Sequence, residues 1–86
     1  MTVTKKIWSG YFEDVLYHNK RFEIRKDEDH LITGDNFILA EWDPEKKRYT
    51  GRRITCAVLY VFRSDNHIHD FGLKPGYCVI GFAVVG

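Results

Sequence analysis

The sequence predicts a mainly β fold with one helix (α+β): a small, closed or nearly closed β-barrel with the helix packed at one side. Three observations carry this. Helical periodicity occurs once, in a short stretch after Ser9. The rest of the apolar pattern alternates with period two between turn signals, as short strands do. Several of those strands carry apolar groups on both faces, which an open sheet would leave in water and a closed one covers. At 86 residues with 44% apolar and 15% aromatic side chains, the chain has one core and forms a single domain, 1–86.

Ser9 is a candidate N-cap, and Phe12, Val15 and Leu16 share one helical face. Asp14 suits the positive end of the helix dipole and Asn19 a left-handed stop, which gives a helix over about residues 10–18. In the next segment Phe22 and Ile24 point one way while Arg21, Glu23 and Arg25 point the other, a half-buried strand. Gly34-Asp35 marks a turn, and Asn36 to Trp42 forms the next strand, with Ile38, Ala40 and Trp42 opposite Phe37, Leu39 and Glu41. A polar connection, Asp43 to Arg48, leads to Tyr49-Thr50-Gly51 and then to a long strand from Arg53 to Phe62, rich in β-branched and aromatic residues. Ser64 to Asp70 reads as a polar loop. Lys74-Pro75-Gly76-Tyr77 has the proline and glycine of a type II turn, and Tyr77 to Val85 is the last strand.

Formal net charge is +1, which excludes a globally basic surface that coats duplex DNA. That near-neutrality hides segregation. Residues 1–26 carry six bases (Lys5, Lys6, Lys20, Arg21, Arg25, Lys26) against three acids, and residues 27–45 carry seven acids and no Lys or Arg. Residues 46–53 then supply five bases. No apolar run approaches the ~20 residues of a membrane span, and the N-terminus leads into no hydrophobic stretch of a secretory signal. The expectation is a soluble cytoplasmic protein. Cys56 and Cys78, both in apolar strand-like runs, are then reduced core residues, and no CxxC spacing offers a zinc site.

The richest segment is Lys20-Arg21-Phe22-Glu23-Ile24-Arg25-Lys26. Its alternation sets Arg21, Glu23 and Arg25 in a row beside Lys20. Two cations flanking a carboxylate suit a phosphate or a polar base edge, and equally an exposed salt-bridge ladder. Glu41, a carboxylate on a strand that is apolar on both faces, needs a partner. Arg25 or Lys20 is the natural choice if the two consecutive strands are antiparallel neighbours. Trp42 beside it is either a stacking surface for a base or a core tryptophan. His67-Ile68-His69-Asp70 has two imidazoles and a carboxylate but no fourth ligand, so no metal and no cofactor is assigned. No phosphate-binding loop, dinucleotide fingerprint or nucleophile elbow occurs.

Taken together, Tyr11-Phe12, Lys20 to Lys26, Gly34-Asp35, Leu39-Ala40-Glu41-Trp42-Asp43, Tyr49 to Arg52 and Phe71 to Gly81 resemble the compact bacterial and phage ASCH-like proteins of the PUA-like superfamily. The resemblance runs in order over residues 11 to 81. It implies a PUA-like barrel whose cleft, between helix and barrel, gathers a lysine and an ExR pair, here Lys20, Glu23 and Arg25. It also implies an RNA or nucleotide ligand. On that reading Lys20 and Arg25 contact phosphate or a carbonyl, Glu23 and Glu41 accept hydrogen bonds from base amino groups, and Trp42 or Tyr11 offers a stacking face. Some small ASCH proteins are instead amidohydrolases of acetylcytidine, using a lysine at the position of Lys20 and a threonine two residues before the arginine. Here Glu23 stands in the threonine's place, so a hydroxyl nucleophile is missing; Glu23 or Glu41 would have to act as a general base on water. A third reading is a structural or protein-interaction domain in which the ladder is a salt-bridged face.

Overall fold

A computed structural model describes residues 2–64 and 72–86. Five strands and one helix follow in the order β1 (Thr2–Trp8), α1 (Ser9–Tyr17), β2 (Phe22–Lys26), β3 (Asn36–Asp43), β4 (Arg48–Arg63) and β5 (Tyr77–Val84). The strands form one sheet in the spatial order β1-β3-β4-β5-β2, with β1 parallel to β3 and every other pair antiparallel. The fold is thus mainly β with one short helix, as expected. The sheet curls into a half-barrel, and no ladder among the described residues joins its outer strands, β1 and β2.

Strand β1 is not among the predicted elements. Its inward face is Val3, Lys5 and Ile7, and a lysine in the middle of that face masks the period-two signal. Strand β4 begins at Arg48 rather than Arg53, because Arg48 and Tyr49 pair with Asp43 and Trp42 across the 43–48 connection. The inner faces of β3, β4 and β5 supply Phe37, Leu39, Ile54, Cys56, Val58, Cys78, Ile80 and Phe82, all buried. Phe37 and Phe82 meet edge-to-face at 5.4 Å.

Helix α1 covers this concave side with Phe12 and Val15, each 1% exposed, whereas Leu16 faces outward. Ser9 does not cap it. The N-cap is Trp8, without a side-chain bond, and the Ser9 hydroxyl instead donates to the Trp42 carbonyl at 3.1 Å, tying the helix to β3. Asn19 does end the turn, at φ +56°, while the amides of His18 and Lys20 both donate to the Asp14 carbonyl. The turn into β5 has Gly76 at φ +84° and Tyr77 N–H donating to the Lys74 carbonyl, as the Pro-Gly pair predicts.

The gap between β1 and β2 is spanned by side chains. The Arg25 guanidinium on β2 donates to the Lys6 carbonyl on β1, and the Lys5 ammonium reaches Asp29 in the segment after β2. Two charged contacts therefore hold a seam that backbone bonds leave open.

Candidate functional site

Strand β2 explains why the seam is polar. It pairs with β5 alone, in the register Glu23↔Ile80 and Arg25↔Cys78. Ile80 and Cys78 face the core, so Glu23 and Arg25 face inward with them, and Phe22 and Ile24 are turned out at 48% and 57% exposure. A hydrophobic-in reading of this strand is inverted. Glu23, at 7% exposure, is a buried carboxylate and needs compensation. It receives Lys20 Nζ at 2.8 Å on Oε2 and Arg25 at 3.4 Å on Oε1. Lys20 also donates to the Phe22 carbonyl at 2.6 Å. Arg21 is not part of this row: it bonds back to the carbonyls of Val15 and Lys20 and fixes the helix–strand junction.

These groups line a cleft of about 540 Å³ along the seam, walled by Lys6, Ile7 and Trp8 of β1, Tyr11 of α1, and Glu23, Ile24 and Arg25 of β2. A second hollow of about 320 Å³ shares Tyr11, Glu23 and Ile24 and adds Lys20 and Phe22. The volume falls in the range of small-molecule sites. Two cations, Lys20 and Arg25, stand here against one carboxylate, so the local charge is positive although the chain is nearly neutral. Tyr11 and Trp8, each 57% exposed, put aromatic surface at the rim. Lys20 Nζ lies 5.8 Å from the Tyr11 ring centroid.

The structure therefore brings together Lys20, Glu23, Arg25 and Tyr11 and leaves Glu41 and Trp42 outside the cleft lining. Glu41 does not pair with Arg25 or Lys20, because β2 and β3 lie at separate places in the sheet order. At 3% exposure it accepts from Arg52 Nε on Oε1 and from a terminal Arg52 nitrogen on Oε2, both at 2.8 Å, and from Thr50 Oγ1 at 2.6 Å. Glu41 follows the inward alternation of Phe37 and Leu39, and the ladder to β4 is interrupted beside it, between Ala40 and Trp42. Arg52 lies 4.9 Å from the Phe12 ring centroid and bonds Glu13 at 2.9 Å, so the pair clamps α1 to the sheet. The Arg52 guanidinium holds the Glu41 carboxyl down at about 2, with Thr50 assisting against the opposing effect of burial.

Trp42 faces the other side of the sheet. Lys6 sits 4.0 Å over its ring, and Tyr49 meets it edge-to-face at 5.0 Å. Lys6 and Trp8 are site residues that sequence reasoning misses. The Thr2-Val3-Thr4 run is the signal that could find them, since β-branched residues there mark a strand whose far end delivers both to the seam.

Burial pushes the Cys56 thiol up to about 12 and the Cys78 thiol upward as well, so neither is a nucleophile at neutral pH. His67 and His69 lie outside the described residues. No cluster of three potential metal ligands occurs among the described ones, and no helix there is long and apolar enough to cross a membrane. No curated protein matches the chain. A family model described as a domain of unknown function (DUF3850) matches residues 4–82.

Proposed function

The chain belongs to the DUF3850 family, and from that premise we propose that it is a nucleic-acid-binding module, with an ASCH-like, PUA-like framework, that holds a nucleotide of single-stranded RNA in the seam cleft. The observation that carries the reading is the buried Glu23 carboxylate held between Lys20 and Arg25 in an accessible cleft with exposed aromatic rings at its rim. A buried ion pair contributes little to stability over an apolar replacement and, as a purely structural device, needs no cleft around it. Here Arg25 approaches Glu23 at 3.4 Å, a loose contact that leaves Oε1 acceptor capacity for a base amino group. Lys20 and Arg25 would contact phosphate, and Tyr11 or Trp8 would stack a base. The buried, unpaired thiols agree with a reducing, cytoplasmic setting.

Quenching of the rim tryptophan gives a direct assay. Titration with single-stranded RNA at low salt should quench fluorescence, and Arg25→Ala should weaken binding about tenfold or more, the value of a charge-assisted contact. Absence of binding at low salt overturns the proposal.

One contact favours a second reading. Lys20 and Glu23 are joined directly at 2.8 Å within the cleft, an arrangement in which Glu23 could take a proton from water attacking the acetyl carbonyl of acetylcytidine while Lys20 stabilises the oxyanion. Glu23 would then return that proton to the departing amine nitrogen as the amide C–N bond breaks, giving cytidine and acetate. Chromatographic turnover of acetylcytidine that vanishes in Lys20→Ala would place this reading first, and no turnover retires it.

A further inference from the structure

Three aromatic side chains stand in register on the outer face of the sheet. Trp8 of β1 pairs with Trp42 of β3, and Trp42 pairs with Tyr49 of β4. The row spans two strand spacings, about 10 Å. Trp8 and Tyr49 are 57% and 53% exposed. Trp42 between them is covered by Lys6 and abuts the Tyr49 ring, so the open stacking faces are those at the two ends. Beside Tyr49 lies a hollow of about 370 Å³, lined by Thr4, Ala40, Tyr49, Gly51, Arg52 and Arg53.

The charges on this face are cationic and available. Among the described residues Lys6 and Arg53 have no carboxylate partner; Lys6 lies over Trp42, and Arg53 donates to Thr4 Oγ1 at 3.2 Å. The nearby carboxylate of Asp43 is engaged by the backbone amides of Glu45 and Lys46. An apolar protein partner would have to bury Lys6 and Arg53 unpaired. A polyanion carrying flat bases matches both the rings and the charges.

Lys6 and Trp8 belong to the seam cleft as well as to this row, which makes the two surfaces continuous across the edge of β1. We propose that a single strand held in the seam cleft continues over β1 onto the outer face, where a further base stacks on Tyr49 and Arg53 takes a phosphate. The proposal rests on the cleft reading and adds to it a second subsite, hence a ligand of several nucleotides rather than one.

The experiment is a length series by calorimetry, with a mononucleotide, a dinucleotide and a tetranucleotide as single-stranded RNA and as DNA. Affinity should rise at least tenfold from one to four nucleotides. Arg53→Gln and Tyr49→Leu should each lower tetranucleotide affinity about fivefold or more, as stacking or phosphate contacts do, and leave mononucleotide affinity unchanged. Arg25→Ala should weaken both. Arg53→Gln should also reduce the slope of log affinity against log salt by about 0.7, one phosphate on a single strand. A gain with both strands, or with RNA alone, supports the subsite and names its source. Affinity independent of length, or a tetranucleotide indifferent to both substitutions, overturns the subsite while mononucleotide binding keeps the cleft. If no nucleotide of any length binds, both fail. Arg53 is exposed and donates to the exposed Thr4 hydroxyl, so Arg53→Gln should cost little stability and decides the matter even if Tyr49→Leu loosens the β3–β4 hairpin.

Discussion

Replacing Glu41 with Gln keeps the side-chain shape and removes its charge. In the native protein two Arg52 bonds and one Thr50 bond converge on a carboxylate that is 3% exposed. The introduced amide would put a donor where Arg52 also donates. Breaking a fully buried ion pair costs about 3–5 kcal/mol. Arg52 is 46% exposed and keeps Glu13, so the loss falls below that range, at about 2–3 kcal/mol near neutral pH. For a domain of this size each kcal/mol moves Tm by about 4–8 °C, so Tm should fall by roughly 10–20 °C. The pH dependence follows from the sign of the shift. The folded-state pKa of Glu41 is about 2 against an ordinary value of 4.5, so its contribution is complete above pH 4.5 and is lost as pH falls toward 2. Urea denaturation at pH 7 and at pH 2 separates the terms: the gap between wild type and Glu41→Gln should be full at the first and largely closed at the second. A variant within about 0.5 kcal/mol of wild type at pH 7, the range of an ordinary surface change, or a gap undiminished at pH 2, would refute the assignment of Glu41 as a charge clamp.

Other outcomes follow from the same geometry. Both thiols should resist alkylation under native conditions, even at pH 9, and react fully in denaturant, because burial keeps them protonated and out of reach; rapid native labelling would contradict the packing. Phe82→Ala removes a ring that is 1% exposed and its edge-to-face contact with Phe37, for a loss of about 3–5 kcal/mol by denaturation. Gly51→Ala meets no atom within 4 Å but places a side chain at φ +97°, so about 1–2 kcal/mol of backbone strain is expected by the same measurement.

Much of the fold is legible because local patterns act alone there. The helix, the Pro-Gly turn and the inward run Phe37-Leu39-Glu41 all appear where their periodicity puts them. The sequence pattern fails where tertiary pairing overrides it. Phe22 and Ile24 advertise an apolar inner face, yet the β2–β5 register turns Glu23 and Arg25 inward, and no local pattern encodes that register. Lys20, Glu23 and Arg25 are identifiable as a cluster because they lie within six residues of each other. Lys6 and Trp8 reach the same cleft from a strand that joins the sheet beside β3, and Arg52 reaches Glu41 across a hairpin whose register is interrupted there, so no local pattern names that partner. Contacts between distant segments depend on the strand order, which no single segment encodes.

The seam joined by Arg25 and Lys5 has a mechanical consequence. Separating two hydrogen-bonded strands would break a whole ladder, whereas β1 and β2 part by releasing two side-chain contacts. Opening the rim therefore leaves every backbone ladder of the sheet intact. Compliance is concentrated along one line of the wall, and the Arg25 guanidinium that borders the cleft is also the latch across it.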